Sequence, residues 1–415
     1  MPEDLGTIEP ASPNTDLKRR LAAAVQVAAP EILDLSHRIH AHPESAFEER
    51  YAATAVAETL AAHGFEVERP AGRLETAVRA RLRGGRGGPD AGPRIGILAE
   101  YDALPDLGHG CGHNTMAASG VGAAVALASI AADLEGEVVF LGCPAEERGS
   151  GKQFMLDDGL FDGLDAALLF HPSDRTHVEC SLLASVDVDV TFSGVAAHAA
   201  SDPWSGRNAL DALIVLFGSI GLWRQQLRPD ARVHGIVIEG GSAANIIPER
   251  AAGRFMLRST DQAYLEDLEV RFRDLVRAAA LATGCEGEVV FSGGSATMRN
   301  NRTLAARFVA NLAAYGIEDG PPDPDLGSSD MGNVSWRLPT IHPTVAICDE
   351  GVPGHSIEFR DAAATPRADD VVLVVASAIA QTALDLFADP ALVASAWAEL
   401  QGPSYDRGSR TTGSG

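Results

Sequence analysis

Four short apolar runs, Ile95–Ala99, Val138–Leu141, Ala166–Phe170 and Thr344–Cys348, recur along the chain between stretches of helical periodicity. A strand that is apolar at successive positions has no wet face, so both of its faces must be covered. Helices before and after such strands are the natural cover, which restricts the main body to an α/β layer architecture.

The helical stretches can be placed by their spacing. Leu17, Leu21 and Val25, then Ile32, Leu35 and Ile39, recur at helical intervals, and Pro30 stands where a second helix would begin, so two consecutive helices are predicted. Glu48–His63 reads as a helix capped by Gly64, Thr76–Leu82 as a strand and Met116–Ala132 as an alanine-rich helix. The Gly-rich stretch Gly84–Pro93 lacks the Lys-Ser/Thr ending of a phosphate loop and reads as a connection between strands.

Near Val186 the pattern changes. Val186-Asp-Val-Asp-Val-Thr-Phe192 alternates strictly, as a strand with one solvated face does. Helix Ala209–Gln226, strands Val233–Glu239 and Ala251–Arg258, helix Tyr264–Thr283 and strand Glu286–Phe291 follow, an order that suits a small α+β sandwich. The first pattern then resumes with helix Leu304–Tyr315, the Thr344–Cys348 strand and helix Ala368–Phe387. The expected organisation is a mixed, mostly parallel sheet flanked by helices (16–184 and 297–400), interrupted by the inserted α+β unit (185–296), with flexible tails at 1–15 and 401–415.

Charge narrows the partners. With 57 acidic against 33 basic residues the formal net charge is −24, and no basic run tracks phosphates, which argues against nucleic acid and against anionic membranes. No apolar stretch reads as the roughly 18–20 residues that span a bilayer. Met1-Pro2-Glu3-Asp4 opens no secretory signal, so a cytoplasmic location is expected. Five scattered cysteines in a reducing compartment are expected to be thiols.

The chemistry-bearing residues sit at strand ends, where open α/β sheets build their sites. Ile95–Ala99 runs into Glu100-Tyr-Asp102 and then Cys111-Gly-His113, in which the glycine allows both side chains to reach one ion. Val138–Leu141 leads to Glu146-Glu147, where one carboxylate can ligate while its neighbour takes a proton. Ala166–Phe170 ends at His171, and Thr344–Cys348 leads to His355. Singly these are as well explained by a glycine loop, a helix start or a structural histidine. Jointly, Cys111, His113, Glu147, His171 and His355 form a donor set suited to zinc or a related transition ion. Five donors exceed the needs of one tetrahedral catalytic zinc, which favours a shared pair of ions. His-Glu-x-x-His, Gly-x-Ser-x-Gly and the zinc-deaminase signature are all missing from the sequence.

With these motifs the chain resembles the metal-dependent aminoacylase and carboxypeptidase superfamily whose members carry an inserted dimerisation domain. The likeness runs through His37–Glu44, Phe47-Glu48-Glu49, Glu100–Pro105, Gly110–Asn114, Pro144–Glu147, Gly194–Ala199, Asn245–Pro248, Ser329–Ser335 and Gly354–Ser356. Tyr101, Asn114 and Asp330-Met-Gly-Asn point within it to the branch of the aminobenzoyl-glutamate hydrolase B subunit and the β-alanyl-lysine type dipeptidase. The resemblance implies a di-metal exopeptidase-like catalytic domain and a homodimer formed through the inserted domain. It implies two divalent ions, zinc favoured by the thiolate and manganese the alternative, with Cys111 bridging and His113, Glu147, His171 and His355 as the other ligands. Glu146 would be the general base and His198 would reach the oxyanion from a partner subunit. Asn245 and Arg258 would hold the substrate carboxylate, and Asp102 would orient a ligand. The implied substrate is an N-acyl or N-aroyl amino acid or a dipeptide with a free carboxylate. The branch also admits a hydrolytic subunit that needs a partner chain; a non-catalytic homologue is disfavoured by the complete donor set and Glu146. Cys143 and the interrupted glycine run Arg148-Gly-Ser-Gly151 depart from the branch pattern beside Glu147, which bears on specificity.

Overall fold

The computed structural model describes residues 13–88, 91–321 and 327–402. The chain divides into two compact units. One contains the residues up to Cys180, those from Arg299 and those from Asn333; the other runs Ser181–Met298 with a short piece ending at Gly332.

In chain order the first unit contributes β1 (Glu66–Glu68), β2 (Val78–Arg83), β3 (Arg94–Glu100), β4 (Glu137–Cys143), β5 (Ala166–Leu168) and β6 (His171–Ser173). The second supplies β7 (Ala184–Ser193), β8 (Ala197–His198), β9 (Arg232–Glu239), β10 (Ile246–Ile247), β11 (Arg250–Ser259) and β12 (Glu286–Ser295), and the first resumes with β13 (Thr340–Ile341) and β14 (Thr344–Ala346).

The main sheet has the order β1-β2-β4-β3-β5-β13. β4, β3, β5 and β13 are parallel, while β1 and β2 add an antiparallel edge. In β3 and β4 every residue after the first is buried, so both faces are covered, as the apolar runs require. Helix His113–Ser129 is buried on every side from His113 to Leu127 and packs on β3 and on helices Pro13–Ala41 and Pro366–Ala388. Its glycines permit this closeness: a Cβ at Gly120 would fall 2.9 Å from the Leu98 carbonyl oxygen, and one at Gly122 would fall 2.9 Å from Ile32.

Three expectations change. Pro13–Ala41 is one continuous helix with Pro30 inside it, beginning within the span read as a tail; the rest of both tails lies largely outside the described residues. An interior proline costs a helix roughly 3 kcal/mol. Leu21, Val25, Ile32, Leu35 and Ile39 are all buried on that helix, and about 1.5–3 kcal/mol for each such side chain outweighs the loss. Second, the strand expected over Ala166–Phe170 ends at Leu168, and His171–Ser173 forms a separate parallel pair with β14. Third, Pro366–Ala388 is long and apolar enough to cross a membrane by length and composition, but 83% of its most apolar window is buried among the core helices. Its length serves the core of this unit.

In the second unit an antiparallel sheet of order β12-β7-β11-β9 carries helices Ala209–Trp223 and Gln262–Thr283. β7 alternates buried and half-buried residues, and Val186, Val188, Val190 and Phe192 meet Phe255, Leu257 and Phe272 in the core. Asn208 and Asp261 cap the two helices with their side chains. β8 and β10 form a separate two-stranded ribbon.

Candidate metal centre

β3 ends at Glu100 and the chain turns through Asp102 into a loop that returns at Cys111. Gly112 has φ +75°, and with no Cβ it lets the backbone swing directly into the helix that starts at His113. Asp102 is fully buried and its two oxygens do separate work. Oδ1 lies 3.1 Å from His113 Nδ1, and Oδ2 accepts the backbone N–H of Glu147 at 3.0 Å. A proton on Nδ1 therefore satisfies both Asp102 and His113, which leaves His113 Nε2 as a lone-pair donor.

His171 repeats this logic from β6. Its Nδ1 lies 2.6 Å from the Pro172 carbonyl oxygen, to which it donates, so Nε2 faces the Cys111 sulfur at 3.3 Å. His355 lies beyond β14 in a left-handed conformation (φ 57°) with its backbone N–H donated to Gly110 at 2.9 Å. Its Nε2 is 3.5 Å from Glu147 Oε1.

These donors gather into two triads, Cys111/His113/His171 and Cys111/Glu147/His355, within each of which the ligand atoms lie inside 4.8 Å of one another. Cys111 belongs to both. Glu100, His113 and Glu146 form a third such group. His113 Nε2 and Glu147 Oε1 are buried with no hydrogen-bond partner among the described residues, an arrangement that costs roughly 1–3 kcal/mol per group unless a cation satisfies it. Soft thiolate, imidazole and carboxylate together suit a divalent transition ion, so the residues fit a pair of such ions.

The electrostatics point the same way. Burial, reinforced by the Glu147 charge, pushes the Cys111 thiol well up, and a cation is what would reverse that. Burial also lowers His171 to about 4, helped by His113, so it is a neutral ligand at neutral pH. Burial alone would raise Glu100, but the Lys152 ammonium outweighs it and holds the carboxyl at about 2. The Lys152 ammonium is 2.5 Å from Glu100, and both side chains are fully buried.

All five expected donors and Glu146 are thus brought together, with Asp102 behind them. His198, Asn245 and Arg258 belong to the other unit. His198 is exposed on β8, and its Nδ1 accepts the backbone N–H groups of Ala200 and Ser201, each at 3.2 Å. Asn245 is exposed just before β10, and half-buried Arg258 on β11 donates from Nε to the Met256 sulfur at 3.0 Å. Two residues beside the donors were not singled out from sequence. Lys152 follows a glycine turn and carried no periodic signal. His342, fully buried with its ring 5.6 Å from that of His171, stands alone between Ile341 and Pro343.

Comparison with known proteins shows the family. The sequence profile of Peptidase family M20/M25/M40 matches residues 96–383. The Xaa-Arg dipeptidase of Mus musculus is 38% identical over 92% of this chain and 94% of its own length. The B subunit of the p-aminobenzoyl-glutamate hydrolase of Escherichia coli (strain K12) is 29% identical over 91% of this chain and 93% of its own. A dinuclear metal binding peptidase of Bacillus subtilis shares the fold with a TM-score of 0.66 at 20% identity, over 87% of this chain and 99% of that one. With the profile spanning most of the chain and the dipeptidase alike over almost all of it, the protein belongs to peptidase family M20/M25/M40.

Proposed function

We propose that this protein uses two divalent cations to hydrolyse the amide bond of an N-acyl amino acid or dipeptide bearing a free carboxylate. As a member of its family it is a hydrolase of amide or peptide bonds. The observation that carries the reading is the pair of triads sharing Cys111, with Glu146 in the adjoining group.

Cys111, His113 and His171 would hold one ion, and Cys111, Glu147 and His355 the other. Bound cations supply the positive charge that acidifies water and polarises the amide carbonyl. Glu146 takes the proton from the attacking water and returns it to the leaving nitrogen. His198 donates to the developing oxyanion from a second copy of the chain; its Nδ1 is occupied as an acceptor, so the ring proton sits on the outward Nε2. Asn245 and Arg258 hold the substrate carboxylate, Arg258 through its forked guanidinium. The thiolate favours zinc over manganese.

A second copy of the chain is the proposed partner, met through the 181–298 unit. β9 is the edge of its sheet, and Ile236, Val237 and Ile238 on it are 61%, 52% and 53% exposed. An apolar edge strand of this kind favours pairing with another chain.

The test is mass-spectrometric detection of the amino acid released from a panel of N-acyl and N-aroyl amino acids and dipeptides, with metal-loaded protein and a chelated control. The panel includes dipeptides ending in arginine or lysine, since a relative is an Xaa-Arg dipeptidase and the net charge of −24 attracts cationic substrates. Release that requires metal supports the reading; no release from any member by metal-loaded protein rejects it.

A further inference from the structure

The segment Pro144–Gly151, which carries Glu146 and Glu147, leaves β4 through an alanine in a left-handed conformation (Ala145, φ 60°). A side-chain-bearing residue there costs roughly 1–3 kcal/mol and persists only where its surroundings hold it. Two buried carboxylates hold this one, from opposite sides of Glu146. Asp102 takes the N–H of Glu147 at 3.0 Å. Glu49, from the turn before helix Arg50–Ala62, takes the N–H of Ala145 at 2.9 Å.

Glu49 is fully buried and fully engaged. Its Oε1 also accepts the N–H of Phe47 at 2.9 Å, and its Oε2 accepts the Thr76 hydroxyl at 2.7 Å. The Phe47 ring occupies the space that a Cβ on Gly149 would need, so the same short segment also covers the far part of the loop. The loop is closed at its base by the Gly151 N–H on the Ala145 carbonyl oxygen at 3.2 Å. Burying a carboxylate is costly unless its oxygens are satisfied, and here one of the three bonds that satisfy them comes from the backbone that leads straight into Glu146.

We propose that Glu49 is a positioning residue for the hydrolytic reaction: it fixes the Ala145 turn and thereby aims the Glu146 carboxylate at the attacking water. The inference rests on the hydrolytic reading above. The division of labour is specific. Asp102 secures the metal-ligand side of the loop, through His113 and Glu147, and Glu49 secures the proton-transfer side.

The experiment compares Glu49→Ala, Glu49→Gln and Thr76→Val with the wild-type protein loaded with zinc. It reads hydrogen–deuterium exchange of the 144–151 peptide, bound zinc, kcat and KM. A misplaced catalytic group costs on the order of 100-fold in rate. Glu49→Ala is accordingly expected to speed exchange in that peptide and lower kcat by about 10- to 100-fold. Its KM stays within about twofold and its zinc content unchanged, the pattern of a loss felt in the transition state. Glu49→Gln keeps an oxygen for both N–H groups while Thr76 turns its hydroxyl to accept, so it restores exchange protection and kcat. Unchanged exchange and kcat in Glu49→Ala overturn the proposal, as does a fall in kcat that only tracks loss of zinc. Should Glu49→Ala fail to fold, Thr76→Val decides by the same readouts, with a smaller loss expected and no change overturning it. If the wild type turns over no substrate, the hydrolytic reading fails by itself, and the exchange data still test whether Glu49 holds the loop.

Discussion

The Lys152 ammonium and the Glu100 carboxylate form an ion pair of 2.5 Å with no solvent exposure on either side chain. Glu100 Oε2 lies 3.4 Å from His113 Nε2, so the pair places a compensated negative charge against the imidazole of a candidate metal ligand. Removing one member of a buried pair leaves the other uncompensated, at a cost of roughly 3–5 kcal/mol. Lys152→Met is expected to lower stability by about that amount. Chemical denaturation checks it, and an unchanged midpoint would show the pair to be dispensable.

The sharing of Cys111 between both triads makes its loss different in kind from the loss of a terminal ligand. Cys111→Ala is expected to abolish binding of both ions, whereas His355→Ala retains the ion on the Cys111/His113/His171 side. Elemental analysis of the purified variants distinguishes them; equal stoichiometry in the two would contradict a shared thiolate.

Glu146 is proposed to move the proton and Glu147 to hold an ion, although they are adjacent. Glu146→Gln is expected to lower kcat by about 100- to 10,000-fold, the usual worth of a general base. Its metal content stays at the wild-type level. Turnover that survived this substitution would remove the mechanism.

His109, two residues before Cys111, gives a stability prediction with a definite sign. Its Nε2 donates to the Ile39 carbonyl oxygen at 3.1 Å, and burial lowers it to about 3. In the unfolded chain it titrates near 6.5, so the unfolded state binds the proton first as acid is added. Its contribution is complete above about pH 6.5 and drains away as pH falls from there toward about 3. His109→Gln keeps a donor for Ile39 without the charge. The thermal midpoint of this variant is expected to fall less than that of the wild type over the acid range; parallel curves would refute the assignment.

The β9 edge gives a prediction about assembly. Ile236→Asp combined with Ile238→Asp places like charges on the strand proposed to meet its copy, and sedimentation is expected to show a monomer. Activity falls with it if His198 serves the neighbouring copy. A wild-type protein already monomeric and fully active would end both ideas.

What was legible in advance was local. The apolar runs at Ile95–Ala99 and Val138–Leu141 are β3 and β4, because burial on both faces writes itself into consecutive residues. The strict alternation from Val186 is β7, because a half-covered sheet demands period two. Five donors could be picked out since chemistry collects at the ends of such strands, and Cys111, His113, Glu147, His171 and His355 do converge.

The sequence by itself determined the layer architecture and the change of pattern near Val186, which follow from composition and period over short windows, and it singled out five candidate donors by their place at strand ends. Only the tertiary structure decided that Pro30 lies within one helix, since the compensating burial comes from helices about a hundred and more than three hundred residues away. Only it showed Lys152 against Glu100, His342 beside His171, and Glu49 on the Ala145 N–H. The last spans 96 positions. A buried charge or a single hydrogen bond of this kind leaves no periodic trace in its own neighbourhood, because what satisfies it is supplied by a segment the sequence places far away.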